Sequence, residues 1–359
     1  MNAVNDIVSN ESRLFSKENI KWYIGFSFLM LLTIAISFLS FLRMQGPNPG
    51  NQGPGQYPPG GGVPNPTQAV AQYNLWPLWG SLEFPTPDGI LLGISLLAVS
   101  LFVLYELYRR NYQFSRFIPL VLFGIFLIIL SNSIDGWSSG IELAISGLNE
   151  IYTDALNIVN PLDFISSYES IQPTLTVHAQ TQPPGAVLTI YLFSVLFINP
   201  GFIAIGISVV SGLLSSFFAR GIMRNWFNEE VSNYIAFLYL LLPAVQIYYL
   251  ANIYAIVATL AFGSIYYYFH ENTNASYVLI VIFIFLGMFV SFLFAWVPLF
   301  FFVYEILTVY FLDGEASLSS KLNDFVRRIR KLFIVCLIVG LAYLIMYFAL
   351  DFNYVEAFL

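Results

Sequence analysis

Long apolar segments, separated by short polar ones, dominate the chain from residue 21 to residue 350. A helix needs roughly 20 apolar residues to cross a bilayer, and most of these segments have that length. The pattern therefore predicts an all-α, polytopic membrane protein with about nine transmembrane helices. The predicted spans are residues 21–43, 88–108, 116–134, 201–222, 232–249, 251–269, 277–295, 296–312 and 332–350.

The apolar stretch 186–222 is interrupted once, at residues 199–201, and can be counted in two ways. If both halves crossed the membrane, Arg220 would lie on the opposite side from most other basic residues. We therefore predict that 186–198 is an outer juxtamembrane or re-entrant helix and that only 201–222 crosses.

The basic residues then give the chain an orientation. With this set of spans, all of the fourteen Lys and Arg residues except Arg43 fall on one side of the membrane. The positive-inside rule identifies that side as the cytoplasm, which predicts a multi-pass plasma-membrane protein. Its N-terminus, 1–20, would be cytoplasmic, whereas the outer loop 135–198 and the C-terminal tail 351–359 would be extracytoplasmic.

Composition narrows the class of protein. The chain is 58% hydrophobic and 10% charged, unlike a soluble domain. Its net charge of −7 argues against a nucleic-acid partner, and the single cysteine, Cys336, excludes internal disulfides and cysteine-rich metal sites.

The Pro- and Gly-rich loop 44–87 is typical of a flexible segment. The basic amphipathic segment 319–331 predicts contact with the anionic headgroups of membrane lipids.

Polar chemistry is concentrated in the outer loop, which contains carboxylates but no Lys or Arg. Asp135 follows the third span directly, where the membrane boundary would hold it, and Gly136 lets the backbone turn. A carboxylate held there can accept a proton, although an Asp-Gly after a helix is also a common helix stop. His178 is the outer one of two histidines and is either a phosphate or cation contact or a surface residue without a role.

Three elements of this region resemble polytopic glycosyltransferases of the GT-C fold, which take sugars from polyprenyl-phosphate carriers. Gln182-Pro183-Pro184-Gly185 closes the first large outer loop and is followed by the 186–198 helix and a span ending at Arg220. A second element is 242–249, and the third is Asp135-Gly136. The resemblance covers 115–350, where it implies a core of about seven helices. Residues 21–114 would be an N-terminal two-helix addition.

The resemblance implies hexosyl transfer to an acceptor on the extracytoplasmic face. Asp135 would be the catalytic base, with Glu142 as a weaker alternative. The leaving phosphate calls for a positive partner, which leaves three alternatives. A divalent ion such as Mg or Mn, with Asp135 and His178 as candidate ligands, supplies the charge, or Arg43 supplies it, or the protein has lost catalysis. The candidate substrate-binding residues are His178, Gln182, Gln246, Tyr249, Asn252 and Arg43.

Two departures from the family pattern leave other functions open. Gln182 stands where relatives carry His, and 251–254 lacks an Asp that relatives often have there, which suggests a non-catalytic or decayed membrane subunit. A transporter is a further alternative, because Glu305 is a carboxylate inside a predicted span. A transferase predicts one outer cavity on which Asp135, His178 and Gln246 converge; a transporter predicts a polar path through the bilayer that includes Glu305. Protein partners are not indicated by the sequence.

Overall fold

The computed structural model describes residues 87–112, 115–147, 150–250, 252–269, 273–309 and 318–358. All of them belong to one compact unit, Pro85–Leu359. The predicted span 21–43, almost all of the loop 44–87 and the candidate residue Arg43 lie outside the described residues. The helix at the second predicted span lies in this unit together with the later helices.

Every regular element in these ranges is helical, and no strand occurs among the described residues. The α-helices are α1 Pro87–Arg109, α2 Phe117–Asn132, α3 Leu143–Ser146, α4 Tyr152–Leu156, α5 Pro161–Ser166, α6 Tyr168–Ile171, α7 Val177–Gln180, α8 Pro184–Leu196, α9 Pro200–Met223, α10 Glu229–Leu240, α11 Pro243–Tyr248, α12 Ile253–Phe269, α13 Asn274–Val290, α14 Trp296–Leu307, α15 Leu318–Leu350 and α16 Tyr354–Phe358. Short 3-10 helices span Ser133–Asp135, Gln172–Thr174 and Phe292–Ala295, and a π-helical turn spans Ser138–Glu142.

In the described part, 3 stretches of helix are long and apolar enough to cross a membrane: Gly89–Arg109, Pro200–Met223 and Phe325–Leu350. Shorter apolar helices occur at Phe117–Asn132, Pro184–Leu196, Ile253–Phe269, Asn274–Val290 and Phe292–Leu307. The prediction of an all-α chain is confirmed for the described residues, and the long apolar helices indicate a membrane protein.

The break at 199–201 is a helix start. The Asn199 side chain accepts hydrogen bonds from the backbone N–H groups of Gly201 and Phe202, at 2.8 and 3.3 Å, and Pro200 is the first residue of α9. Asn is a favoured N-cap, and Pro fits the first helical position because its missing N–H has no partner there. The interruption in the apolar pattern therefore separates α8 from α9.

One group of contacts joins helix ends that carry arginines. The Arg220 Nε donates to Asn233 Oδ1 at 2.6 Å, and Asn233 Nδ2 donates to the Ser115 carbonyl oxygen at 2.6 Å. These bonds bring the end of α9 together with the starts of α2 and α10. The ring of Phe218 also contacts that of Tyr266, near the end of α12.

Tyr268, two residues further along α12, connects α14 and α15 to the same end of the unit. Its hydroxyl donates to Glu305 Oε1 at 2.8 Å, and its carbonyl oxygen accepts from Lys331 Nζ at 3.1 Å. We call this region the arginine end; it comprises 109–117, 220–233, 266–269, 305–309 and 325–331. Every Arg or Lys whose side chain is described lies in it.

The remaining helix ends meet at what we call the loop end, whose described residues are 131–147, 150–199, 246–250, 252–254, 288–292 and 350–358. Ser131 Oγ donates to Gln246 Oε1 at 2.8 Å, joining the end of α2 to α11. The Gln172 amide donates to the Ala357 carbonyl oxygen at 2.9 Å, joining the loop to α16. The Tyr354 hydroxyl donates to the Met288 carbonyl oxygen at 3.2 Å, which adds the end of α13.

Helix α8 has both of its ends at the loop end. Gln182, just before it, donates to the Tyr254 hydroxyl at 3.2 Å, and Asn199, just after it, donates to Glu142 at 3.0 Å. Its 13 residues span roughly 20 Å, against about 30 Å for the hydrocarbon core. Both ends of this helix therefore lie on the same side of the helix bundle, as expected if 186–198 does not cross the membrane.

Several predicted spans have different boundaries in the structure, and two of them differ most. The segment 232–249 is broken between α10 and α11, because Pro243 lacks a backbone N–H and disfavours helical geometry in the residue before it. The last predicted span, 332–350, is only part of α15, which begins at Leu318 and includes the basic segment 319–331.

Small residues allow α9 to pack closely on its neighbours. Ser208, Ser211, Ser215 and Ser216 are completely buried, and such residues let the backbones of packed apolar helices approach each other. Ser208 Oγ also donates to the Tyr249 carbonyl oxygen at 2.7 Å. These contacts hold the helix bundle that supports the loop end.

Candidate functional site

A small polar cavity lies at the loop end, between the outer loop and the start of α12. Its volume is about 60 Å³. Four isoleucines form apolar walls: Ile145, Ile151, Ile190 and Ile253. The polar lining residues are Glu150, Tyr152, His178, Gln182, Asn252 and Tyr254.

Gln182 is the most buried polar side chain in this cavity, with 7% of its surface exposed. Its Nε2 donates to the Tyr254 hydroxyl at 3.2 Å, and its Oε1 has no hydrogen-bond partner among the described residues. A buried polar atom without a partner carries a desolvation cost of about 1–3 kcal/mol. A ligand or water that donates a hydrogen bond to this oxygen would remove that cost.

Tyr168 fixes the backbone that carries Gln182. The Tyr168 side chain is fully buried, and its hydroxyl donates to the Ala179 carbonyl oxygen at 3.0 Å and also to the Gln182 carbonyl oxygen. The hydroxyl proton is shared between these two acceptors. The turn after α7 is thereby held in one position.

Asp154 fixes the start of α7. Its Oδ2 accepts from the Thr176 backbone N–H at 2.9 Å and from the Thr176 hydroxyl at 2.5 Å. Since His178 follows two residues later, these bonds position the imidazole at the cavity. Asp154 is therefore a structural residue of the loop.

Glu150 and His178 lie close together in the described part of the 135–198 loop. The His178 Nε2 lies 3.7 Å from Glu150 Oε1, and both side chains are partly exposed. Partial burial raises the pKa of Glu150 above the usual range of a carboxyl group, while the nearby His178 opposes that rise. A carboxyl group with a raised pKa beside an imidazole is suited to proton transfer.

Asn252 links the cavity to α12. Its Oδ1 accepts from the Tyr254 backbone N–H at 2.9 Å, which caps the helix start. Tyr254 in turn presents its hydroxyl to Gln182. The structure thus brings together three predicted substrate-binding residues, His178, Gln182 and Asn252.

Gln246 and Tyr249, which were also predicted to bind substrate, do not line this cavity. The Gln246 side chain accepts from Ser131 and donates to the Leu240 carbonyl oxygen at 2.6 Å, so it ties α2, α10 and α11 together. Tyr249 is 3% exposed, and its hydroxyl pairs with that of Tyr239. Both positions have structural partners, and their role in substrate binding stays a prediction.

Glu142, the alternative catalytic residue, lies where the π-helical turn meets the start of α9. Its Oε1 accepts from Asn199 Nδ2 at 3.0 Å and from Trp137 Nε1 at 2.9 Å. The Asn199 bond first, and then the Trp137 bond, lower the pKa of this carboxyl group. A carboxylate stabilised in its ionised form is a weaker proton acceptor, so the geometry disfavours Glu142 as a base.

Asp135 ends the 3-10 helix Ser133–Asp135, and its side chain lies outside the part of the chain that the structure describes. Gly136 follows with a φ of 91°, which explains the requirement for glycine at this turn. Among the described residues no group of three or more His, Cys, Asp or Glu side chains could hold a metal ion. A Mg or Mn ion at Asp135 and His178 stays a prediction.

Glu150 is a cavity residue that was not among the candidates predicted from the sequence. No local signal distinguishes it, because Glu150 and His178 are far apart along the chain and meet only after the loop folds. The bond between Gln182 and Tyr254 could likewise not be predicted from spacing along the chain.

Replacing Tyr168 with Phe should destabilise the protein by about 1–3 kcal/mol, because two buried carbonyl oxygens lose their donor. Thermal unfolding of the purified protein measures this effect. Tyr152→Phe is the matched control, since the Tyr152 hydroxyl makes only an exposed bond of 3.5 Å to Ile198. Equal melting temperatures for the two variants would contradict the anchoring role of Tyr168.

The fold and the cavity define a helical protein with membrane-compatible helices and a polar pocket at one end. The chain matches no protein-family model, no curated protein and no solved structure. The resemblance to GT-C glycosyltransferases therefore stays a prediction based on sequence elements.

Proposed function

We propose that the chain is a plasma-membrane protein with about nine spans, whose arginine end is cytoplasmic and whose loop end is extracytoplasmic. The described spans would be α1, α2, α9, the α10–α11 pair, α12, α13, α14 and α15, with residues 21–43 as the first. Two observations support the proposal. Successive described spans run in opposite directions between the arginine end and the loop end, and both ends of α8 lie at the loop end.

Cysteine labelling tests this orientation. In a Cys336→Ser background, Val159→Cys should react with a membrane-impermeant maleimide added to intact cells, because Val159 is 96% exposed in the outer loop. Arg224→Cys at the arginine end should react only after the membrane is permeabilised. The reverse pattern would contradict the orientation and remove the proposed site from the outer face.

We further propose that the protein is a glycosyltransferase, which moves a hexose from a polyprenyl-phosphate carrier to an acceptor at the loop end. The observation that carries this proposal is the cavity lined by Glu150, His178 and Gln182, together with the buried Gln182 amide oxygen that has no partner among the described residues. Sugar hydroxyl groups can donate to that oxygen and accept from the amide of Asn252.

In this proposal Glu150 is the general base. The acceptor hydroxyl attacks the anomeric carbon of the sugar, its proton passes to Glu150, and the bond from that carbon to the phosphate oxygen breaks. Glu150 is proposed for this role because it lines the cavity and lies beside His178. Asp135 remains the base predicted from the sequence, and the two assignments can be separated by substitution.

The leaving phosphate needs a positive partner. At the loop end, His178 is the one described side chain that can carry a positive charge, and its exposed ring can reach an anion. Arg43 and a divalent ion, both predicted from the sequence, would add to this charge. Pockets for drug-sized ligands measure roughly 300–1,000 Å³, so the cavity of about 60 Å³ must widen to admit a hexose.

Sugar transfer from polyprenyl-phosphate hexoses by the purified full-length chain in liposomes tests the proposal. The wild-type protein should release polyprenyl phosphate, whereas Gln182→Leu should raise KM for the donor because it cannot bond a sugar hydroxyl. Absence of transfer with the wild-type protein, using several donor sugars and added Mg or Mn, would contradict the enzymatic function and favour a non-catalytic subunit.

Glu305 offers less support for a transporter. This carboxylate is 6% exposed and lies at the arginine end, where the Tyr268 hydroxyl donates to its Oε1 and Arg328 Nη1 lies 3.6 Å from its Oε2. A buried charge that has such partners is explained by its role in packing. No observation favours an ion path through this residue.

A further inference from the structure

An apolar groove lies between α14 and α15, on the opposite end of the unit from the cavity. Its volume is about 520 Å³. Pro298 and Phe302 form one wall, and Ile329, Phe333 and Cys336 lie on the other. Among the described residues that line the groove, Arg330 is the one that carries a charge. The groove thus combines an apolar channel with a single cation.

Neighbouring basic residues of α15 are engaged elsewhere. Arg328 pairs with Glu305, and Lys331 donates to the Tyr268 carbonyl oxygen and lies 5.0 Å from the ring centres of Tyr268 and Tyr277. Arg330 points to another face of the helix, is exposed, and makes no ion pair in the described part of the chain. Its guanidinium group therefore remains available to an anionic ligand.

We propose that this groove binds an anionic glycerophospholipid from the leaflet at the arginine end, with an acyl chain in the groove and the phosphate at Arg330. Phe325–Leu350 is a candidate membrane span, so the groove would open to lipid and its basic end would lie near the headgroups. A guanidinium group binds phosphate through paired hydrogen bonds. This site depends on the membrane orientation and is independent of the proposed sugar transfer.

Native mass spectrometry of the full-length protein, titrated in neutral detergent with phosphatidylglycerol or phosphatidylcholine of identical acyl chains, tests the site. We expect preferential retention of phosphatidylglycerol. Arg330→Gln should weaken that binding about fivefold, as expected for loss of one basic residue near a lipid headgroup. Cys336→Phe should reduce binding of both lipids by filling the groove.

Arg224→Gln is the matched control, because Arg224 is an exposed arginine at the same end and does not line the groove. All variants should melt at the wild-type temperature, since the replaced side chains are exposed. Equal retention of the two lipids would identify ordinary boundary lipid and overturn the proposal. If Arg224→Gln weakens phosphatidylglycerol binding as much as Arg330→Gln does, the binding reflects general surface charge and the proposed site is wrong. If Cys336→Phe does not change lipid binding, lipid does not occupy the groove.

Discussion

Replacing Gly185 with Ala is expected to destabilise the protein by about 3 kcal/mol, at the upper end of overpacking costs. A Cβ atom at this position would lie 2.6 Å from the Phe289 carbonyl carbon and would also collide with the Phe289 carbonyl oxygen. These are backbone atoms of α13, so no side-chain rotation relieves the contact. Helix propensity alone would favour Ala by up to about 1 kcal/mol, and the clash outweighs that gain.

Gly340→Ala in α15 provides the control, because a Cβ there meets nothing within 4 Å. Thermal unfolding in detergent should show a clearly lower melting temperature for Gly185→Ala and an unchanged or slightly higher one for Gly340→Ala, which gains helix propensity without a clash. Because Gln182 lies three residues before Gly185, the first variant should also lose the polar cavity. Melting temperatures that match would mean that α8 and α13 are not in close contact.

Replacing Glu150 with Gln is expected to lower kcat for sugar transfer by about 10²–10⁴-fold, the usual contribution of a general base. In the wild-type protein the rate should rise with pH as Glu150 loses its proton. Because burial raises the pKa of Glu150, this rise should occur at higher pH than for an exposed carboxyl group. The pH profile of kcat should lose this step in Glu150→Gln.

Asp163→Asn is a suitable control, since Asp163 is an exposed carboxylate of the same loop and is bonded locally to Asn160. It should retain the wild-type rate. Asp135→Asn separates the two candidate bases: loss of turnover in that variant with normal turnover in Glu150→Gln would make the sequence-based assignment right and the one based on the cavity wrong. Such a result would leave the glycosyltransferase proposal intact.

Part of the fold could be predicted because its determinants are local. Apolar segments of sufficient length predicted the helices, and the break at 199–201 predicted the boundary between α8 and α9. The division of 232–249 into two helices was missed, although Pro243 carries a signal for it. The length of α15 was also underestimated, because a basic amphipathic segment can continue an apolar helix without a break in the backbone.

The candidate site could be predicted only in part. Polarity and position relative to the predicted spans indicated the loop that contains the site. They also indicated three residues that line its cavity: His178, Gln182 and Asn252. Gln246 had the same sequence character, yet its amide is used to join three helices. Whether a polar side chain faces a cavity or a neighbouring helix depends on packing between distant segments, which spacing along the chain does not specify.

The sequence by itself determined the helical class, the grouping of basic residues at one end of the helices and the polar character of the 135–198 loop. Each of these features depends on the hydropathy and charge of segments no longer than about one helix. Only the tertiary structure decided that Glu150 meets His178, that Glu142 is held by Asn199, and that Gln182 keeps a buried oxygen without a partner. Those relations require segments far apart in the chain to pack together, and the free energy of that packing is shared among many side chains.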